Sequence, residues 1–165
     1  KTPLVAAVNG RAVGVGVTML LHCDLVYLTE DSVLTTPFVN LALVPEAASS
    51  LTLPDRIGHA RAFSMFVLGE AVDAQKALAW GIANEVLPRS ELRARARAAA
   101  LAVAARPPAA VTITKALMRD PVTLAERMDR EGRHFSDQLK SSEAKEAFSA
   151  FAEKRAPDFA KVGGR

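Results

Sequence analysis

The sequence of 165 residues has a single cysteine, few aromatic residues and no long hydrophobic run. Cys23 alone cannot form an internal disulfide, and no apolar stretch approaches the roughly 20 residues that a membrane-spanning helix needs. Charge of one sign is also scarce, because 21 Lys and Arg against 18 Asp and Glu leave a net charge of +3. This small positive excess argues against a dedicated nucleic-acid-binding or membrane protein, although a protein with such a charge can still bind an anionic ligand. We therefore expect a reducing, aqueous compartment, the cytoplasm.

Hydrophobic residues make up 50% of the chain and charged residues 24%, a balance typical of a globular domain. A domain of this length buries about two thirds of the surface of its unfolded chain and needs no disulfide or metal to hold it. The chain opens directly on an apolar run, residues 3–8, that is typical of a buried strand. We expect that an upstream part of the protein precedes it.

The first half of the chain mixes strand and helix signals. Short β-branched or apolar runs predict strands, and apolar runs at helical spacing near glycine and proline predict helices. The predicted strands are residues 3–8, 25–28 and 33–36. The predicted helices are residues 17–22, a stretch that starts near Pro54, residues 59–68 closed by Gly69, and residues 73–80 capped by Asp73 and ended by Gly81.

After Pro88 the strand signals disappear. Four helices are predicted, each opened by a proline or a capping serine. We therefore divide the chain into an α/β part, residues 1–88, and a helical part, residues 89–165. The four helices are residues 90–105, 107–118, 121–140 and 141–155, the last with an apolar face of Ala144, Ala147, Phe148 and Phe151.

Glycines lie between the first strand and the first helix, in residues 8–16. A backbone N–H at such a helix start can face a developing negative charge. The spacing matches neither the dinucleotide fingerprint nor the P-loop. Taken alone, glycines before a helix more often serve close packing of strand and helix than oxyanion binding.

Glu46 is an isolated carboxylate in a loop of apolar and small residues, positions 43–50. A carboxylate in such surroundings is partly desolvated, which suits a general base. The alternative from spacing alone is a residue that caps, or lies in the first turn of, the helix that follows Pro45.

The chain resembles the enoyl-CoA hydratase/isomerase (crotonase) superfamily in residues 1–14, in Cys23-Asp24, at Pro37 and in Pro45-Glu46. Residues 146–155 are also similar to the C-terminal signature of that superfamily. The resemblance covers essentially the whole chain but begins about a third of the way into the family's usual length. It implies a crotonase-like α/β spiral of ββα units with a C-terminal helical region that forms trimers. The chain then comprises the C-terminal part of the core and a helical region for trimerisation and coenzyme A contacts.

Hydratases of this family carry two glutamates, whose positions here hold Thr18 and Phe38. Neither side chain can act as a general acid or base that carries a proton to or from water at neutral pH, so the two-carboxylate hydration mechanism is not expected. The stretches 36–38 and 45–50 are instead similar to the peroxisomal-type delta-3,delta-2-enoyl-CoA isomerases, although Ala47 replaces a commoner glycine. The resemblance to that subgroup implies Glu46 as the catalytic base.

The resemblance also implies the rest of the site. The N–H of Val15 is one of two oxyanion donors, the second coming from a loop upstream of this chain. Coenzyme A belongs to the acyl-CoA substrate, so no separate cofactor is expected, and His22, His59 and His134 lack the spacing of metal ligands. The implied substrate contacts are Ala12, Gly14, Phe38, Phe135, Phe151 and Lys154, of which the last three have simple packing or surface charge as an equally good explanation.

The predicted function is therefore an isomerase that moves a 3-enoyl-CoA double bond to the 2-position and works as a homotrimer or homohexamer. Two alternatives remain open from the sequence. One is a hydratase-like enzyme of another crotonase reaction type, and the other is a non-catalytic acyl-CoA-binding or assembly paralogue.

Overall fold

The structure, a computed structural model, describes residues 2–162 and contains two small sheets. The first sheet has the order β1-β3-β6 with all strands parallel, and the second has the order β2-β4-β5 with only β5 antiparallel. Parallel neighbours require helical crossovers between them, and these place the helices on the outside of the sheets. The strands are β1 (Val5–Val8), β2 (Arg11–Val13), β3 (Leu25–Thr29), β4 (Val33–Thr35), β5 (Val72–Asp73) and β6 (Glu85–Leu87).

Nine α-helices are described in residues 2–162, with short 3₁₀ turns at Met19–His22 and Val39–Leu41 and a π-helical continuation at Ser64–Leu68. The last strand ends at Leu87, and every regular element beyond it in the described range is helical. The helices are α1 (Val15–Thr18), α2 (Ser49–Ile57), α3 (His59–Phe63), α4 (Ala74–Ala79), α5 (Arg89–Ala104), α6 (Pro108–Met118), α7 (Pro121–Gln138), α8 (Ser142–Ala152) and α9 (Phe159–Val162).

Most of the predicted elements are present, but their boundaries differ in an informative way. The strands β2, β5 and β6 were not predicted, because two or three residues are too few to show an alternation of apolar and polar side chains. The prediction that Pro54 stands near a helix start was wrong, because α2 begins at Ser49. Ser90 was also wrongly predicted as a cap, since α5 begins at Arg89 directly after Pro88.

The main core lies between the sheets and the helices α1 to α4. Its largest fully buried side chains include Leu21, Leu28, Leu34, Leu53 and Met65. Each such side chain contributes about 1.5–3 kcal/mol when removed from water. A smaller cluster forms where α5 packs across β1 and β3, with Tyr27, Leu87 and Leu92 buried.

The helices after α5 leave much apolar surface uncovered. On α8 the buried residues are Ala144, Ala147 and Ala150, while Phe148 and Phe151 are exposed, so the aromatic half of the predicted apolar face is not buried within residues 2–162. The small alanines allow close helix approach, whereas the two rings lie on a neighbouring strip that nothing in residues 2–162 covers. Further exposed apolar side chains lie on α6 and at the start of α7, among them Leu117 and Met118.

Asp24 connects the first sheet to the helical region. Its carboxylate accepts hydrogen bonds from the N–H of Leu4 and from the Nζ of Lys115 on α6, both at 2.7 Å. Burial raises the pKa of the Asp24 carboxyl, but these donors outweigh it and hold that pKa below its ordinary value. Asp24 therefore has a structural role as an ionised group that anchors α6.

Candidate active site

Glu46 and Val15, which are 31 positions apart in the sequence, line one cavity of about 520 Å³. The α/β part contributes one wall and helix α7 the opposite one. A groove of this size accommodates part of an elongated ligand. The lining residues are Val15, Phe38 and Glu46 from the first part of the chain, with Met128, Gly132, Phe135 and Ser136 from α7.

The Glu46 side chain is half-buried and is held by one hydroxyl group. Thr18, which is completely buried, donates from Oγ1 to Oε1 of Glu46 at 2.5 Å. The carbonyl oxygen of Val15 lies 3.4 Å from the same hydroxyl, so the single proton is better placed for the carboxylate. Thr18 thus orients Glu46. According to the family resemblance, hydratases carry a glutamate at the position that Thr18 occupies here.

Val15 lines the cavity at the start of α1. Gly14 takes the positive φ of 56° that directs the chain into α1, and its own N–H donates to the carbonyl of Thr35 at 2.9 Å. Because Val15 is the first residue of α1, its N–H has no acceptor within the helix. Among the described residues the Val15 N–H donates no backbone hydrogen bond to another segment, so it is available to a ligand oxygen.

The loop after Glu46 has an unusual backbone. Ala47 and Ala48 both have positive φ, 57° and 56°, a left-handed conformation that costs a non-glycine residue roughly 1–2 kcal/mol. Ala48 precedes α2 as its N-cap and makes no side-chain capping bond. Glu46 therefore lies upstream of the helix start, and the alternative of a capping or first-turn role for its side chain is not what the structure shows.

Two side chains from distant elements bond this loop, and sequence reasoning missed both. The Nε2 of His22 lies 2.6 Å from the carbonyl oxygen of Ala47. The buried carboxylate of Glu131 on α7 accepts from the N–H of Ala48 at 2.6 Å and from the N–H of Ser50 at 2.9 Å. The available signal was the position of Glu131, four residues before Phe135, on the stripe of α7 that faces the core.

The structure brings some of the predicted site residues together and leaves others apart. Phe38 and Phe135 line the cavity with Glu46 and Val15. The remaining candidates are not among its lining residues: Ala12 is buried in β2, Gly14 precedes α1, Phe151 is 76% exposed on α8, and Lys154 lies beyond the end of that helix. Their contacts with substrate stay predictions.

The fold is shared with solved structures of known class. An enoyl-CoA hydratase/isomerase from Pseudoalteromonas atlantica T6c superposes with a TM-score of 0.93 and 45% identity, over 96% of this chain and 64% of that one. A carnitinyl-CoA hydratase from Mycobacterium avium superposes with a TM-score of 0.88 and 33% identity, over 95% and 62% of the two chains. The chain thus has the predicted crotonase fold.

Sequence similarity identifies the family. The enoyl-CoA hydratase/isomerase family model matches residues 1–162. The chain is 36% identical over 161 residues to a carnitinyl-CoA dehydratase of Salmonella typhi, and 34% identical over 163 residues to that of Proteus mirabilis. These alignments cover 94% and 95% of this chain but only 62% of each relative. The chain belongs to the enoyl-CoA hydratase/isomerase family.

The family is as predicted, whereas the relatives reported above do not carry the name of the peroxisomal-type isomerases. The finer subgroup therefore remains a proposal. Within residues 2–162 no helix combines the length and the apolarity needed to cross a bilayer.

Proposed function

We propose that the protein shifts the double bond of a 3-enoyl-CoA thioester to the 2-position, with Glu46 as the base that carries the proton. The observation that supports this most directly is that Glu46 is the one carboxylate among the described residues that line the cavity containing Val15. A bond shift needs one group that removes a proton and returns it nearby, and one carboxylate does both. The positions of the two hydratase glutamates hold Thr18 and Phe38.

The first step breaks the C2–H bond of the substrate. Glu46 takes the proton, and the electron pair of the C2–H bond forms a C1=C2 double bond while the carbonyl pair moves onto the thioester oxygen. The product is a dienolate, because the new double bond is conjugated with C3=C4. The N–H of Val15 donates a hydrogen bond to that oxygen. One donor of this kind contributes about 3–4 kcal/mol to the transition state, equivalent to two or three units of pKa mismatch between the carbon acid and the base.

The second step returns the proton from protonated Glu46 to C4, so that the double bond lies between C2 and C3 and the carboxylate is regenerated. Two aromatic side chains of the cavity, Phe38 and Phe135, restrict the access of water to this intermediate. The hydrogen bond from Thr18 holds one oxygen of Glu46 in place during both transfers. The reaction consumes no water and uses no cofactor besides the coenzyme A of the substrate.

The second candidate is a hydratase or dehydratase reaction, which the names of the relatives favour. Carnitinyl-CoA dehydratases are 34–36% identical to this chain. In such a reaction Glu46 removes the C2 proton and a hydroxyl group leaves from C3. The cavity offers no second carboxylate within the described residues to protonate that hydroxyl, so Glu46 itself would have to do so.

The two reactions are separated by their products. The intact protein is incubated separately with a 3-enoyl-CoA, a 2-enoyl-CoA and carnitinyl-CoA. The thioesters are separated by liquid chromatography, the conjugated 2-enoyl isomer is recognised by its ultraviolet absorbance, and hydroxyacyl products are recognised by their mass. Isomerisation predicts 2-enoyl-CoA from the first substrate and no 3-hydroxyacyl-CoA from the second. Hydration or dehydration without isomerisation would favour the second candidate, and binding without any turnover would favour a non-catalytic acyl-CoA-binding protein.

Gly132 is expected to leave room for the acyl chain. It lies inside α7 on the wall opposite Glu46, and a Cβ added there meets no atom within 4 Å. Glycine in a helix interior costs about 0.5–1 kcal/mol relative to alanine. We expect Gly132→Ala to raise the free energy of unfolding by that amount, and Gly132→Leu to raise KM for long-chain substrates more than for short ones.

Urea unfolding and a series of acyl-chain lengths measure these two effects. The control is Glu126→Ala, an exposed change on the same helix away from the cavity. An unchanged chain-length profile in Gly132→Leu would show that position 132 does not limit the acyl site.

The helical region is proposed to hold the subunits together as a homotrimer or a dimer of trimers. Support comes from the exposed apolar side chains of α6 and α7, where Ile113, Leu117, Met118 and Val122 are 59–83% exposed. Several large apolar side chains left exposed on neighbouring helices are typical of a subunit interface. Light scattering is expected to give three or six times the protomer mass, and a monodisperse monomer would contradict the proposal. The cytoplasm remains our proposed location.

A further inference from the structure

Glu131 is a buried carboxylate that bonds only to backbone. Its side chain is 5% exposed, and its two oxygens accept from two different N–H groups, those of Ala48 and Ser50. No Lys, Arg or His nitrogen of residues 2–162 forms an ion pair with it. A buried charge is tolerated where several donors converge on it, and the first N–H groups of a helix such as α2 are suitable donors.

The segment that Glu131 holds is the one that carries Glu46. Ala47 and Ala48, which follow Glu46 directly, have the left-handed backbone that non-glycine residues avoid. Such a turn persists only where the surroundings determine it. Glu131 accepts two hydrogen bonds from this segment, the Nε2 of His22 contacts the carbonyl of Ala47, and the hydroxyl of Thr52 donates to the carbonyl of Ala48 at 3.1 Å. Thr52 belongs to α2 itself, so Glu131 and His22 are the partners that come from distant parts of the described chain.

The helix that contributes Glu131 also closes the site. Met128, Gly132, Phe135 and Ser136 of α7 line the cavity, and Glu131 projects from the same turns of the helix towards the loop. The packing of α7 therefore forms the cavity wall and fixes the loop in a single arrangement.

We propose that Glu131 is a positioning residue that holds Glu46 in its reactive place, so that docking of α7 assembles the active site. This inference rests on the proposed function, in which Glu46 is the base. The alternative is a purely structural role, in which Glu131 only provides a hydrogen-bond acceptor for the backbone N–H groups at the start of α2. A structural role predicts lower stability with unchanged turnover per folded molecule.

The test replaces Glu131 by glutamine in the intact protein. Glutamine keeps the size but presents an NH₂ group to one of the two backbone donors, so one bond is lost. We expect kcat to fall about 10- to 100-fold with KM nearly unchanged, because a displaced base reacts poorly while binding contacts remain. Hydrogen exchange at the amides of Ala48 and Ser50 is expected to accelerate. Glu126→Gln, the same change at an exposed position of α7, is the control.

A second variant tests the left-handed turn itself. Ala48→Gly, introduced into Glu131→Gln, is expected to recover part of the lost kcat, because glycine adopts positive φ at no steric cost. If Glu131→Gln does not fold, Glu131→Asp takes its place, since it keeps the charge and shortens the reach by one methylene group. Loss of kcat with either variant, together with recovery by glycine, supports the inference.

Failure of the inference and failure of the proposed function give different results. If Glu46→Gln is inactive while the Glu131 variants keep full kcat, the positioning role is wrong and the proposed function stands. If Glu46→Gln is fully active, Glu46 is not the base and the proposed function fails. Glu131 then cannot act on catalysis by positioning Glu46. Unchanged exchange at Ala48 and Ser50 in Glu131→Gln would overturn the inference irrespective of activity.

Discussion

Replacing Glu46 by glutamine is expected to lower the rate of double-bond migration about 10²- to 10⁴-fold, the usual contribution of a positioned general base. Glutamine has nearly the same shape and its carbonyl oxygen still accepts the hydrogen bond from Thr18, so the loop should be retained. It cannot take a proton from C2. Glu46→Gln therefore removes the proton transfer but leaves the substrate-binding site intact.

Two measurements are needed, the conversion of 3-enoyl-CoA to 2-enoyl-CoA and the affinity for a saturated acyl-CoA. We expect the rate of conversion to fall by the factor given above and the affinity for the saturated acyl-CoA to change by less than about twofold. The reason is that substrate binding and transition-state stabilisation are separate contributions. Glu30→Gln is the matched control, because Glu30 is exposed in the turn after β3. Unchanged turnover in Glu46→Gln would exclude Glu46 as the base.

Replacing Val15 by proline is expected to reduce kcat about 10²- to 10³-fold, the cost of removing one oxyanion donor. Proline has no N–H, yet it is well accepted at the first position of a helix, where that N–H has no helical partner. Gly14 has a ψ of −118°, outside the helical region that a following proline disfavours. The folded structure should therefore survive the change.

The control is Val15→Ala, which keeps the N–H and removes only two methyl groups from a side chain that is 56% exposed. It is expected to change kcat by less than about threefold, because the backbone donor is intact. The unfolding midpoints of both variants should stay close to that of the parent protein. Equal activity of the proline and alanine variants would show that the Val15 N–H does not face the developing charge.

The sequence was sufficient for the elements whose signals are local. Asp73 caps α4 through the N–H of Lys76, Gly81 takes a positive φ after it, and Pro108 and Pro121 open α6 and α7 as predicted. Such features depend on the conformational preferences of a few neighbouring residues. The pair Ser49-Ser50 was likewise expected to start a helix, and α2 begins at Ser49. The acceptor of the Ser50 N–H could not be predicted in this way, because it is Glu131, 81 positions further along the chain.

The candidate site likewise has some features that adjacent residues indicate and others that depend on distant segments. Adjacent residues alone showed Glu46 as a lone carboxylate in an apolar loop and a glycine turn before the first helix. The family resemblance was needed to propose Glu46 as a base and the N–H of Val15 as an oxyanion donor. The hydrogen bond from Thr18 to Glu46 and the wall formed by α7 depend on packing between distant segments, which no short window of sequence contains.

The amino-acid sequence by itself predicted an α/β part and a helical part from local patterns, and its family resemblance pointed to Glu46 and Val15 as candidate site residues. Only the tertiary structure decided that Glu46 and Val15 share a cavity with α7 and that Glu131 accepts hydrogen bonds from the loop beside Glu46. Those contacts arise because burial of apolar faces brings remote segments together, and a buried carboxylate must then find its donors among them.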